Sequence, residues 1–171
     1  IPEEKINQTG LSLKLDCYDG KIIVVPYMAK AIWSYNIQSR LWKKIGIRNE
    51  EQECKFVSSV IYKDILYLIP AFYKYIVRVN LKTYSVAYLE HIYEEYAALS
   101  SEEACCFDCN YARCRDVLYI AEQQTNLMLR FDLATEKYTW LQIGNPGQIW
   151  LASAWDGTYF YFVPLTQGRL L

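Results

Sequence analysis

Residues 32–42 read IWSYNIQSRLW. The phrase returns as IVRVNLKTYSV at 76–86 and as MLRFDLATEKY at 128–138. Each copy runs through apolar and aromatic residues to a short polar side chain, Asn36, Asn80 or Asp132. An apolar residue follows (Ile37, Leu81, Leu133), and a hydroxyl residue comes two places later (Ser39, Thr83, Thr135). Asn and Asp at the end of an apolar run bond to nearby backbone and open a turn, and Ser and Thr do so more weakly. The phrase therefore predicts one strand, a tight turn and the start of a second strand, three times over.

The surrounding residues repeat as well. Pro26 and Pro70 lie 44 apart with no gap in the alignment between them, and a step of 52 carries Pro70 to Glu122. A fourth, incomplete copy begins near Asp156, with Pro164 a further 42 along from Glu122. Such periods belong to propeller blades or helical arrays. The apolar runs VVPY, LYLIP, VLYIA and YFYFVP are four to six residues long and rich in β-branched and aromatic residues. Turn signals precede them at Asp19-Gly20, Lys63-Asp64, Arg115-Asp116 and Asp156-Gly157. Helical arrays need longer amphipathic segments, so these runs predict strands and hairpins. The fold class is all-β, a β-propeller of four-stranded antiparallel blades. The expected blades are 11–45, 54–89, 104–143 and 148–171, about three and a half in all. In the third blade the innermost strand is expected over 105–114. A four-stranded meander cannot bury both of its apolar faces alone, and radial repetition covers them. Trp42 and Trp140, near the end of the repeated phrase, are expected to pack between blades.

The pattern in SYNIQSRLW and RFDLATEKYTW resembles the second half of a kelch repeat, and the resemblance extends from about residue 11 to 171. Kelch repeats carry a Gly-Gly pair after the second strand. Here those places read PYMAKA, PAFYKY and EQQTN. The resemblance thus implies the propeller shape and does not carry over kelch partners. Nor does it carry over the copper of galactose-oxidase-type propellers, which needs Tyr, His and Cys ligands, since this chain has a single His.

The chain of 171 residues has a net charge of -1 and is 53% hydrophobic. That composition argues against disorder and against a nucleic-acid partner. No run approaches the roughly 20 apolar residues of a membrane helix, so no membrane is expected as a partner. The first residues, IPEEKINQTG, lack an initiator Met and a signal segment, which reads as an upstream segment removed or as part of a longer chain. Two closures follow for the ring. Further blades or a second copy complete it, or Glu3 to Asn7 supplies an outer strand to a four-bladed ring.

Six cysteines are present, and four crowd into CCFDCNYARC at 105–114. Cys106-x-x-Cys109 with Cys114 has thiols enough for a metal, but along a strand Cys106 and Cys109 point to opposite faces. Buried structural thiols in a reducing, cytoplasmic compartment are expected instead, with no metal and no cofactor. The lone His91 stands with Glu94 and Glu95 at helical spacing in a long, acidic connection between the second and third blades. A short helix with a solvated polar face is predicted there.

Long loops often carry function. The loops after each second strand share one face with the 90–103 insert, so the candidate ligand-binding residues are Tyr27, Lys30, Tyr73, Lys74, His91, Glu94, Glu95 and Gln124. The aromatics among them are expected to be exposed. No nucleophile–base pair and no phosphate-binding glycine loop is present. The reading is a binding or scaffold module for a protein or peptide, with a glycan as the other partner class. The alternative is a segment of a glycan-active hydrolase or lyase, whose polar residues nearest the channel would include Lys14, Asp16, Asp108 and Asn110.

Overall fold

The computed structural model describes residues 12–100, 102–103, 105–145 and 150–164. The stretch Glu3 to Asn7, the end of the fourth copy and the start of its first strand fall outside them. The chain divides into two compact units, Ile1–Leu89 and Glu90–Leu171.

The first unit holds two four-stranded antiparallel meanders. One is β1 (Lys14–Tyr18), β2 (Lys21–Val25), β3 (Ile32–Asn36) and β4 (Trp42–Ile45). The other is β5 (Phe56–Tyr62), β6 (Ile65–Pro70), β7 (Val77–Asn80) and β8 (Val86–Tyr88). Side chains alternate across a strand, so one face of each sheet collects Ile23, Val25 and Ile32 or Leu66, Leu68, Val77 and Val79. These join Ile45, Ile47, Phe56 and Tyr73 in one buried core. Burial of each large side chain there contributes roughly 1.5–3 kcal/mol. Hydrogen bonds join the two sheets. The Phe56 N–H donates to the Pro26 carbonyl at 3.2 Å, and the Tyr18 hydroxyl donates to Asp64 Oδ1 at 2.6 Å. The Ser59 hydroxyl donates to Asp16 Oδ2.

The second unit opens with helix α1 (Glu90–Leu99), where the helix was expected. Its buried residues Ile92 and Tyr96 lie one turn apart on one face. The sheet β9 (Ala112–Cys114), β10 (Val117–Ala121), β11 (Leu127–Asp132) and β12 (Tyr138–Gln142) follows, again in meander order. A hairpin, β13 (Trp150–Trp155) with β14 (Phe160–Pro164), completes the described strands. Trp140 packs between the Tyr96 ring at 5.2 Å and the Phe107 ring at 6.0 Å.

The repeated phrase closes the same way in all three copies. Asn36 Oδ1 accepts the Ser39 N–H at 2.8 Å, and Asn80 Oδ1 accepts the Thr83 N–H at 3.0 Å. Asp132 Oδ1 accepts the Thr135 N–H at 2.9 Å. The next residue in each, Arg40, Tyr84 or Glu136, sits in the left-handed region with φ of 57°, 62° and 57°. The turn is held by the side-chain acceptor although no glycine occupies that place.

Two expectations need correction. The innermost strand of the third blade was expected over 105–114, but the regular strand is only Ala112–Cys114, with an isolated bridge from Phe107 to Glu122. Asp108 Oδ1 accepts the Asn110 N–H at 3.0 Å and so turns the chain out of the ladder. Trp42 was expected to pack between blades. It is 38% exposed and leans on Tyr35 and Trp33 of its own sheet, with ring centroids 4.8 and 6.3 Å away.

Candidate functional site

The loop between β10 and β11, residues 122–126, is organised by one carboxylate. Glu122 is 0% exposed. Its Oε1 accepts the Cys106 N–H at 2.9 Å. Its Oε2 accepts the Gln124 N–H at 3.0 Å and the Thr125 hydroxyl at 2.7 Å. Burial raises the Glu122 carboxyl above its ordinary range, and the donors only partly offset this. Thr125 Oγ1 in turn accepts the Leu127 N–H at 3.2 Å, which starts β11.

Beside this loop lies a cleft of about 330 Å³. Its walls are Leu99, Ser100 and Glu102 from the end of α1 and the residues after it, Gln124 to Asn126 from the loop, Leu127 at the start of β11, and Gln142 from β12. Hydroxyl, carboxylate and amide groups thus surround a concave surface, with Leu99 and Leu127 as its apolar patches. Such a lining accepts and donates hydrogen bonds at several points and carries little charge.

Gln124 and the end of the 90–103 insert both line this cleft. The other candidates do not join them there. His91 lies at the start of α1, its ring 5.3 Å from that of Tyr138 in β12, and its carbonyl accepts the Tyr138 hydroxyl at 3.2 Å. Burial first, and the neighbouring Glu95 carboxylate next, push the Tyr138 phenol up to about 12. Glu94 and Glu95 are exposed on the helix. In the first unit Lys30 is exposed and pairs with Glu51 at 2.7 Å, which holds the Glu51 carboxyl below its usual range. Lys74 is exposed, with its ammonium 5.7 Å from the Tyr75 ring, and Tyr27 is half-buried, its carbonyl taken by the Lys55 N–H. Tyr73 departs from expectation. It is 1% exposed, packs its ring at a tilt against Phe56 with centroids 4.8 Å apart and donates its hydroxyl to the Arg48 carbonyl at 2.5 Å. Its loop folds back onto the Lys55 carbonyl and carries the ring into the core, so Tyr73 is a packing residue.

The cysteine cluster is divided. Cys105 and Cys106 are buried, and Cys109 and Cys114 are exposed. Burial pushes the Cys106 thiol up to about 11 and raises the Cys105 and Cys109 thiols. Thiols so raised stay protonated and are poor nucleophiles at neutral pH. Among the described residues no three His, Cys, Asp or Glu side chains gather closely enough to hold a metal ion.

Sequence reasoning passed over Glu122 as a working residue. The signal was present, because the repeat sets Glu122 opposite Pro26 and Pro70 at the end of a buried strand.

No protein-family model and no curated protein sequence matches this chain. Solved structures do. The extracellular domain of a proposed one-component system from B. thetaiotaomicron superimposes with a TM-score of 0.65 at 11% identity, over 87% of this chain and 20% of that one. A catalytically inactive virginiamycin B lyase from Staphylococcus aureus, solved with quinupristin, gives 0.60 at 14% identity, over 98% of this chain and 57% of that one. An auxiliary nutrient binding protein from Bacteroides thetaiotaomicron gives 0.54 at 11% identity, over 94% and 37%. The fold is that of a β-propeller. At these identities the likeness is one of fold alone, and this chain spans a fifth to somewhat over half the length of the structures it matches. No described helix is long and apolar enough to cross a membrane.

Proposed function

We propose that this chain is a binding module whose polar cleft takes an extended peptide segment of a protein partner. One observation carries the reading. The end of the inter-blade insert and the loop pinned by Glu122 converge on one concave, hydrogen-bonding surface. A pre-ordered loop lowers the entropy lost on binding. An extended peptide supplies alternating N–H and C=O groups, which side-chain amides such as Gln124, Asn126 and Gln142 can meet in either sense. Selection from a phage-displayed peptide library tests this. Selected peptides are expected to lose at least tenfold in affinity in the double variant Gln124→Ala, Gln142→Ala, with an unchanged melting midpoint. A library that yields no binder, or binders indifferent to the two substitutions, would sink the proposal.

A second reading is a segment of a glycan-active lyase or hydrolase. It is favoured by the fold shared with a lyase and by the polar residues Asp108 and Asn110 on the approach to β9. Its catalytic groups would lie partly in further blades. Eliminative cleavage of an acidic polysaccharide by the purified chain, read as ultraviolet absorbance of the new double bond, would favour it over the binding module. The kelch-like description is retained for the shape of the repeat only. The free thiols fit a reducing, cytoplasmic compartment, whereas one similar structure is an extracellular domain. Fractionation of source cells decides between these, and recovery of the chain outside the membrane would overturn the cytoplasmic reading.

A further inference from the structure

The second unit contains another cleft, built from different residues. It measures about 320 Å³ and is lined by Asn110, Tyr111, Ser153, Ala154, Trp155 and Phe160. That is near the lower end of the range for small-molecule sites. Asn110 and Tyr111 come from the turn that interrupts the third copy, and the others come from β13 and the start of β14.

Three features of this cleft point to a ligand. Ser153 is 6% exposed, lines the cleft, and its hydroxyl makes no hydrogen bond. A buried hydroxyl with no partner is unfavourable unless something else satisfies it. Asn110 is oriented by its neighbour. Its N–H and its Nδ2 both donate to Asp108 Oδ1, at 3.0 and 3.4 Å, which leaves the amide oxygen as the end not tied to Asp108. Trp155 and Phe160 are cross-strand partners with ring centroids 5.9 Å apart, so two aromatic surfaces share one wall.

Among the described residues the lining has no Lys, Arg, Asp or Glu. It offers an acceptor, a hydroxyl able to donate or accept, and aromatic surface. We propose that this cleft is a binding site for a pyranose sugar, free or as the end of a glycan. A pyranose presents an apolar C–H face suited to the Trp155 and Phe160 rings, and a rim of hydroxyls suited to Ser153 and Asn110. A charged ligand would find no counter-charge among the described lining side chains. A wholly apolar ligand would leave the Ser153 hydroxyl unsatisfied.

Saturation-transfer NMR with glucose, galactose, N-acetylglucosamine and maltotriose tests the site. At least one sugar is expected to show transfer from the protein. Ser153→Ala removes the unpaired hydroxyl without adding bulk, so it should weaken that sugar at least tenfold while leaving the melting midpoint unchanged or higher. Trp155, on the same strand face as Ser153, is part-exposed, so Trp155→Ala removes one of the two aromatic surfaces without emptying the core, and binding should fall at least tenfold. The Gln124→Ala, Gln142→Ala variant should bind the sugar as the wild type does, which separates this site from the peptide cleft. Maltotriose binding more tightly than glucose would identify a glycan chain, and equal affinities would identify a free sugar. Transfer from none of the four sugars, or transfer undiminished in Trp155→Ala, would overturn the proposal.

Discussion

Lys55 in the first unit and Glu122 in the second are both 0% exposed, and each ties a loop to the strand approaching beside it. The Lys55 ammonium donates to the Ala29 carbonyl at 2.9 Å and to the Gln52 carbonyl. The Glu122 carboxylate accepts the N–H groups of Cys106 and Gln124 together with the Thr125 hydroxyl. The two residues do the same kind of work with opposite charge. What differs is the backbone they meet. Where the buried loop presents carbonyls, a cation satisfies them, and where it presents N–H groups, an anion does. Buried backbone groups must be paired, and a charged partner gives the stronger bond. The tryptophans at the end of the repeated phrase differ in the same way. Trp140 is 9% exposed beneath α1, whereas Trp42 is 38% exposed. The second unit has an added helix to cover its tryptophan, and in the first unit Trp42 shares a shallow cleft with Lys43 and Tyr84.

Trp140→Ala is expected to show the largest effect. Truncating a buried aromatic of this size costs about 3–5 kcal/mol. Trp42→Ala removes a half-covered ring and should cost about 1 kcal/mol, since only part of its apolar area is withdrawn from water. Urea melts of the two variants check the contrast, and equal losses would erase it. Trp140→Phe sharpens the test. The Trp140 indole N–H is buried without a hydrogen bond, so an aromatic replacement lacking it should retain most of the stability.

The buried charges come next. Glu122→Gln keeps the shape but turns an NH₂ group towards backbone donors, and stranding a buried donor costs about 1–3 kcal/mol. Lys55→Met leaves the Ala29 and Gln52 carbonyls without their ammonium partner, with a loss of about the same size. If the loops are pinned as described, Glu122→Gln should also speed amide hydrogen exchange at Gln124 and Cys106. Lys55→Met should leave exchange at those two amides unchanged. Unaltered exchange in Glu122→Gln would mean the loop holds itself.

These features differ in how far they could be read in advance. The Asn36, Asn80 and Asp132 turns were legible because acceptor and donor lie within three residues of one another. The strands on either side were legible from apolar runs bounded by turn signals. Lys55 and Glu122 were not, because their partners are main-chain groups that every residue carries. The depth of Trp42 was not legible either, since burial depends on what lies against a sheet face. For the candidate site, Gln124 was named in advance, but the cleft it lines depends on where the end of α1 comes to rest, which no local pattern carries. Ser153 was missed, because a lone serine in WLASAW carries no signal until the facing turn at Asn110 is placed.

A smaller effect is expected at the turns. Asn80→Ala removes the acceptor for the Lys82 and Thr83 N–H groups, a loss comparable to that of a helix N-cap, about 0.5–2 kcal/mol. Asn80→Asp keeps the acceptor found in the third copy and should be near neutral in the same melt. A cost equal to that of alanine would show that the side-chain acceptor does not hold the turn.

The least of these effects, and the one that most directly compares the two units, is the pH dependence. Burial raises the Glu122 carboxyl, so the folded second unit holds that proton more tightly than the unfolded chain does. Its contribution is therefore complete below the ordinary glutamate range near about 4.3 and is lost as pH rises through the raised value. In the first unit the Asp64 carboxyl is lowered, by Lys82 first and then by the Tyr18 hydroxyl. That contribution is present above the ordinary aspartate range and is lost as pH falls through the lowered value. Two neutral variants separate the signs. Wild type measured against Glu122→Gln should lose relative stability as pH rises above about 4.3, and against Asp64→Asn it should gain relative stability as pH rises towards about 3.9. Urea midpoints taken from acid to neutral pH provide both differences. If the two moved in the same direction, the buried anion of the second unit would be as well solvated as the surface anion of the first. The opposed use of charge in the two units would then have to be abandoned.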